Sequence, residues 1–227
     1  MFNRSEIKEG LYSGLPVFIG YFPIAVTFGL LSKSVNISLF ESFCFSSMVF
    51  AGASQFVGLN MFHAGIGLGE ITLTVFLLNF RHFLMSATLS SKTFFNRFLI
   101  PVISFGVTDE TFAVAAMKKG ELSEGYMIAL NFTAYTGWVT GTVVGYVAGD
   151  FLPADIQASI SICLYAMFVA ILIPAVKNSF KAGAVAVIAG VVNSLMGYSG
   201  FLSSGWNIVI SIVAASFAGF FLFKGED

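Results

Sequence analysis

Apolar residues along the chain gather into eight runs, at about 14–32, 43–62, 70–90, 98–117, 125–149, 156–175, 181–198 and 200–223, with short polar stretches between them. Each run is near the ~20 residues that a helix needs to cross the hydrocarbon core of a bilayer. The pattern predicts an all-α polytopic integral membrane helix bundle of about eight transmembrane helices, forming one transmembrane domain over residues 1–227. Only Ser199 or so divides the last two runs, so seven full spans plus a re-entrant segment fits the same pattern. Some helices are expected to be discontinuous. Pro16 and Pro23, with Gly14, Gly20 and Gly29, make the first run a poor continuous helix. Phe50-Ala51-Gly52-Ala53-Ser54-Gln55-Phe56 sets small residues and an amide in the middle of the second. Ser5–Tyr12, ahead of the first run, reads as a short interfacial helix.

Small residues recur at helical spacing within the runs. Gly137, Gly141, Gly145 and Gly149 stand four apart in the fifth, Ala182, Ala186, Gly190 and Ser194 do so in the seventh, and Ser47, Ala51, Ser54 and Gly58 follow a 4-3-4 rhythm in the second. Such stripes let helix backbones approach closely in lipid, where apolar side chains gain little by leaving the acyl chains, so these faces are expected to look inward.

Composition narrows the class. Of 227 residues, 57% are hydrophobic and 10% charged, against about 45–50% and 25% in soluble domains. The 11 basic and 12 acidic residues nearly cancel, so there is no basic face for a nucleic acid. Cys44 and Cys163 lie in apolar runs with no cysteine or histidine at ligand spacing, so neither a disulfide, a metal site nor a cofactor is expected of them. The first run ends in Ser32-Lys33-Ser34 without a cleavage-site pattern and reads as a retained segment. In an eight-span arrangement Arg4, Lys8, Lys118, Lys119, Lys177, Lys181 and Lys224 fall on one side, and Lys33, Lys92 and Arg97 on the other. The positive-inside rule then puts both termini in the cytoplasm.

The informative positions are polar ones inside apolar runs. Asn79, Arg81 and His82 interrupt the third, and Asp109 and Glu110 interrupt the fourth. A charge at helix centre costs about 2.5–3.5 kcal/mol on insertion scales, so these groups must pair or meet water. Counted from the shared loop, Arg81 and Asp109 lie at depths of roughly 14 and 16 Å at the helical rise, so the two can meet near the midplane. Asp109 and Glu110 point about 100° apart on a helix, so one can pair with Arg81 while the other faces a second helix or a cavity. His82 adjoins them with a side chain that ordinarily titrates near neutral pH. Gln55, Asn131 and Asn193 add amides for interhelical hydrogen bonds. Discontinuous helices near the midplane can turn their N-terminal dipoles toward a carboxylate and their freed carbonyls toward a cation.

Four ordered motifs carry a resemblance: Tyr21-Phe22-Pro23 leading to Phe28-Gly29, the 50–56 segment, Asn79-Phe80-Arg81-His82-Phe83-Leu84-Met85, and Thr108-Asp109-Glu110. Together they are similar to the AzlC-like family of branched-chain amino acid exporters, over about residues 10–120. The chain departs from that pattern at Pro23-Ile24-Ala25, where many members carry Pro-Phe-Gly. The resemblance implies an inner-membrane secondary transporter, not an enzyme, that exports leucine, isoleucine, valine and sometimes methionine using the proton motive force. It also implies assembly with a small hydrophobic AzlD-like membrane subunit. The expected substrate- and proton-binding residues are Arg81, His82, Asp109, Glu110, Asn79, Gln55, Ser54 and Pro23. A zwitterion would set its carboxylate on Arg81 or a helix N-terminus and its ammonium on Asp109 or Glu110. The competing readings are a channel, a carrier for another small zwitterion or metabolite, and a membrane-embedded hydrolase using Ser54 and His82.

Overall fold

A computed structural model describes residues 3–90, 95–118, 120–151, 169, 172–173, 176–177, 179–200, 202 and 204–223. The sixth run with Cys163, and Lys92, Lys119 and Lys224, lie outside or almost wholly outside the described residues. Nine helices are described: α1 (Arg4–Ser34), α2 (Leu39–Met48), α3 (Gly52–His63), α4 (Leu68–Ser90), α5 (Ile100–Phe105), α6 (Asp109–Met117), α7 (Glu124–Ala148), α8 (Phe180–Ser199) and α9 (Ser204–Phe223). No strand occurs among the described residues. The protein is an all-helical membrane bundle in which α1, α4 and α8 are each long and apolar enough to cross a bilayer.

The chain forms two compact units, one of residues 1–55 and 79–161, the other of 56–78 and 162–227. The first is built on α1 and α7. Gly10 of α1 meets Tyr126, Gly14 meets Thr133, Phe18 meets Gly137, Ala25 meets Gly141 and Val26 meets Gly145. Residue numbers rise together along this seam, so the helices run parallel, as the first and fifth of successive spans must. Gly29 and Gly145 let backbone touch backbone: a Cβ on either would run into the Thr142 or Val26 carbonyl oxygen. The Lys33–Asp150 ion pair closes one end, and at the other Glu9 pairs with Lys118 at the end of α6. A second apolar cluster joins Ile103, Val107 and Ala115 to Tyr126, Met127 and Leu130 of α7, with Leu89 of α4.

The break expected in the first run does not occur. Helix α1 continues for 31 residues through Pro16 and Pro23, about 46 Å at the helical rise. Ser5–Tyr12 is its first two turns and no separate interfacial helix. The prolines stand seven residues apart on the exposed face, while the opposite face is clamped along α7, which holds the helix through the missing bonds. The interruption expected in the middle of the second run does occur, and the fourth run is interrupted as well. The second run divides into α2 and α3 at 49–51, and the fourth into α5 and α6 at 106–108. Ser38 caps α2 in a reciprocal box with Glu41, whose carboxyl the Ser38 hydroxyl and N–H hold below its ordinary range.

In the second unit α8 and α9 pack on each other, Val185 filling the place of a Cβ at Gly219. Gly200, with φ +65, ends α8 in the left-handed conformation that favours glycine. Ala182 and Ala186 line the α8–α9 interface, but Gly190, Asn193 and Ser194 are exposed, so that stripe turns inward only at its start.

The seam is testable. A Cβ at Gly141 would sit 2.7 Å from that of Ala25, so Gly141→Leu should cost at least the ~1–3 kcal/mol of an overpacked core. Gly20 has nothing within 4 Å, so Gly20→Ala should be neutral or stabilising by up to about 1 kcal/mol through helix propensity. Thermal unfolding of the detergent-solubilised variants measures both.

Candidate functional site

The two breaks are held open by side chains of α7. Gly52 begins α3 directly against Trp138, where a Cβ would lie 2.5 Å from the indole ring. Gly106 ends α5 against Asn131 in the same way, also at 2.5 Å. Each break frees backbone carbonyls, which in an apolar surrounding need a donor from within the protein. At the first, Gln55 Nε2 donates to the Phe45 carbonyl at 2.8 Å and Tyr135 Oη to that of Ser47 at 3.0 Å. Trp138 Nε1 holds Gln55 in place by donating to its Oε1 at 2.6 Å. At the second, Asn131 Nδ2 donates to Ile103 O at 2.9 Å, and Thr111 Oγ1 to Gly106 O at 3.0 Å. Gln55 is fully buried and is thus the peg of the first break, with Ser46 Oγ also within reach at 3.3 Å.

Helix α6 starts at the second break with Thr108 as its N-cap. Thr108 and Thr111 form a reciprocal capping box, and Asp109 and Glu110 fill the first turn, where the helix dipole favours negative charge. The signature Thr-Asp-Glu-Thr at 108–111 is a helix start readable in the sequence, although the depth count treated the run as one helix. Arg81 and Asp109 meet, Nη1 to Oδ2, at 3.0 Å. The chain itself does not enclose the pair: 42% and 47% of the two side chains is exposed. Glu110 takes a different partner, the hydroxyl of Tyr21 on α1, which also lies 2.6 Å from Thr108 Oγ1. On α4, two residues before Arg81, Asn79 Oδ1 accepts from Ser54 Oγ of α3 at 2.5 Å. Asn79 and Arg81 therefore tie α4 to the first turns of both α3 and α6.

An aromatic cluster fills the space beside these contacts. Tyr21 meets Phe50 and Trp138 edge-on at 6.0 and 5.4 Å, and Phe50 in turn meets Phe105 and Tyr135. His82 adjoins Arg81 on α4 with its Nε2 buried and unpaired among the described residues. Ser54 is bonded to Asn79 rather than to His82, which leaves the nucleophile–base geometry of a hydrolase unsupported. Pro23 lies on the exposed face of α1, its carbonyl accepting from Thr27 Oγ1 at 3.1 Å, and opens no break. Tyr21 and Thr108 belong to the cluster; both stand in the motifs that carry the resemblance, but neither is among the expected binding residues.

A family model described as AzlC protein matches residues 16–152. The chain belongs to the AzlC family. The matched stretch contains both breaks and every polar contact of this site. Among relatives, the chain is 34% identical to the inner membrane protein YgaZ of Escherichia coli K12, across 96% of this chain and 89% of that one. It is 31% identical to an uncharacterized membrane protein of Archaeoglobus fulgidus, across 96% and 94%. It is 22% identical to the branched-chain amino acid transport protein AzlC of Bacillus subtilis, over 76% of this chain and 70% of the other. No solved structure matches. The chain is thus a membrane protein of a transport family.

Gln55→Leu keeps the volume but removes the donor to Phe45 O and the acceptor for Trp138 Nε1. The Phe45 carbonyl keeps the Val49 N–H, so Trp138 Nε1 is the buried group left unpaired and the loss of stability should reach about 1–3 kcal/mol. Equilibrium unfolding of the purified variant checks this, and an unchanged midpoint would remove Gln55 from its role at the break.

Proposed function

We propose that this chain exports branched-chain amino acids across the cytoplasmic membrane by proton-coupled secondary-active transport, as the large subunit of a two-component exporter. Its substrates are leucine, isoleucine and valine, with methionine a further one, and its partner is a small hydrophobic AzlD-like membrane protein. The observation that carries this reading is the Arg81–Asp109 pair, about half exposed beside two broken helices in an apolar chain. Against lipid, charges at helix centre cost about 2.5–3.5 kcal/mol each on insertion scales, so the open side of the pair calls for water or a polar ligand. A zwitterionic amino acid brings the two matching charges: its carboxylate to Arg81 and its ammonium to Asp109 or Glu110. Leu84 and Met85, three and four residues after Arg81, offer apolar surface on the same face for the side chain. The name of the Bacillus relative supports the branched-chain class.

Proton coupling is assigned to the Asp109–Glu110 pair, with His82 as a secondary group. Arg81 compensates one carboxylate, and the other has no cation among its hydrogen-bond partners. Cytoplasmic termini are supported at the N-terminal end by Lys118, which pairs with Glu9 at the end of α1 that carries Arg4 and Lys8.

Arg81→Ala should lower labelled-leucine transport in reconstituted vesicles at least tenfold. It should leave stability within about 1 kcal/mol, as for an exposed ion pair. Normal transport by this variant would overturn the site. Reconstituted without its small partner, the chain should transport at under a tenth of the rate of the pair. Full rate from the single chain would remove the two-component part of the reading.

A further inference from the structure

The two neighbouring carboxylates have unlike surroundings. Asp109 is bound to a permanent cation, whereas Glu110 is bound to a neutral hydroxyl that itself touches a second hydroxyl. From this difference we propose that Tyr21 is a positioning residue that makes Glu110 the proton carrier, leaving Asp109 with Arg81 to hold the substrate. The assignment rests on the proton-coupled reading above and decides which carboxylate does which task.

Hydroxyl chemistry gives the Tyr21–Thr108–Glu110 chain two complete arrangements. With Glu110 ionised, Tyr21 donates its proton to the carboxylate, and Thr108 Oγ1 donates to the phenol oxygen. When Glu110 takes a proton from water at its exposed side, the carboxyl O–H donates to Tyr21 Oη. The phenol hydrogen then turns to Thr108 Oγ1, 2.6 Å away. One proton is added to Glu110, two hydroxyls rotate, and no other bond is made or broken. Asp109 has no such alternative, because protonation there would leave the Arg81 guanidinium uncompensated.

The placement of Tyr21 fits this task. It is buried to 7% exposure, and its ring stands edge-on to Phe50, which lies in the break between α2 and α3. A shift of the phenol on protonation of Glu110 therefore bears on the start of α3, where Ser54 meets Asn79. The titratable and charged groups on the elements that meet here are Asp109 on α6 itself, Arg81 and His82 on α4, and Tyr21 on α1. Tyr135 on α7 is committed to the Ser47 carbonyl.

The test uses vesicles carrying the transporting protein and labelled leucine in two assays: exchange without a gradient, and accumulation driven by a pH difference alone across a pH series. Glu110→Gln should lose pH-driven accumulation at least tenfold more than it loses exchange, and Asp109→Asn should lower the two together. Tyr21→Phe keeps the ring and its packing but removes the donor to the ionised carboxylate. It should move the midpoint of the pH dependence up by about one unit, the size of a hydrogen bond to a charged group. Thr108→Ser, which retains a hydroxyl, should move it less. A wild-type midpoint in Tyr21→Phe, loss of its exchange, or an Asp109→Asn protein that loses only accumulation would each overturn the assignment. Failure of the underlying reading has its own signature in the unmodified protein: no leucine exchange refutes the substrate class, and exchange without pH-driven accumulation refutes proton coupling.

Discussion

A backbone carbonyl released inside a membrane has no water to turn to, and the first unit is organised around meeting that demand at two places. Four carbonyls at the breaks, of Phe45, Ser47, Ile103 and Gly106, accept from the side chains of Gln55, Tyr135, Asn131 and Thr111 respectively, those of Phe45 and Ile103 in addition to a backbone N–H. Two of those donors belong to α7, and a third, Gln55, is held by Trp138 of the same helix. Both breaks thus depend on one uninterrupted helix that supplies donors and fills the space above Gly52 and Gly106. Its adjoining face is glycine, pressed against α1, which brings Tyr21 to the start of α6. The helix that stabilises the irregular backbone is therefore the one that fixes the polar contacts beside it.

Placing two broken helices against a rigid pair of continuous ones has a mechanical consequence. The α1–α7 seam is closed by backbone contact and by the Lys33–Asp150 ion pair at one end, so motion within it would cost many contacts at once. The short helices α5 and α6, of six and nine residues, are held to it by a smaller contact: hydrogen bonds at the break, the apolar cluster of Ile103, Val107 and Ala115, and the Lys118–Glu9 ion pair at the end of α6. In a transporter the parts that move are drawn from the less stable elements, and here these are the half-helices that carry Asp109 and Glu110.

The sequence made the helical class, the membrane setting and the charged positions legible because each rests on one-dimensional information: run length, composition and the cost of a charge in lipid. The meeting of Arg81 with Asp109 followed from depth alone, and the interruption of the fourth run at 106–108 did not disturb it. The prolines misled. Proline guarantees one missing hydrogen bond but does not decide whether the helix stops; the clamp of α7 along the other face of α1 decides that. Both breaks formed where a glycine lies under a bulky α7 side chain; the small residues at 50–56 marked the first, but the α7 partners, 86 and 25 positions away, are displayed by no local pattern. Tyr21 was hidden for a similar reason, since a tyrosine in an apolar run reads as packing until its hydroxyl is seen on Glu110.

The half-exposure of the Arg81–Asp109 pair bears on how such a site could work. A dry ion pair is hard to open, because removing one partner from the other leaves an uncompensated buried charge worth several kcal/mol. A pair with water on one side is held by far less, on the order of 1 kcal/mol. In the proposed exporter the substrate must separate Arg81 from Asp109 and later let them rejoin, and its carboxylate and ammonium replace for each partner the charge it gives up. Such an exchange runs close to balance only if the pair was weak to begin with. The apolar side chain, which gains by leaving water, can then decide whether a zwitterion is held, and that favours hydrophobic amino acids over glycine-sized ones for the same pair of charges.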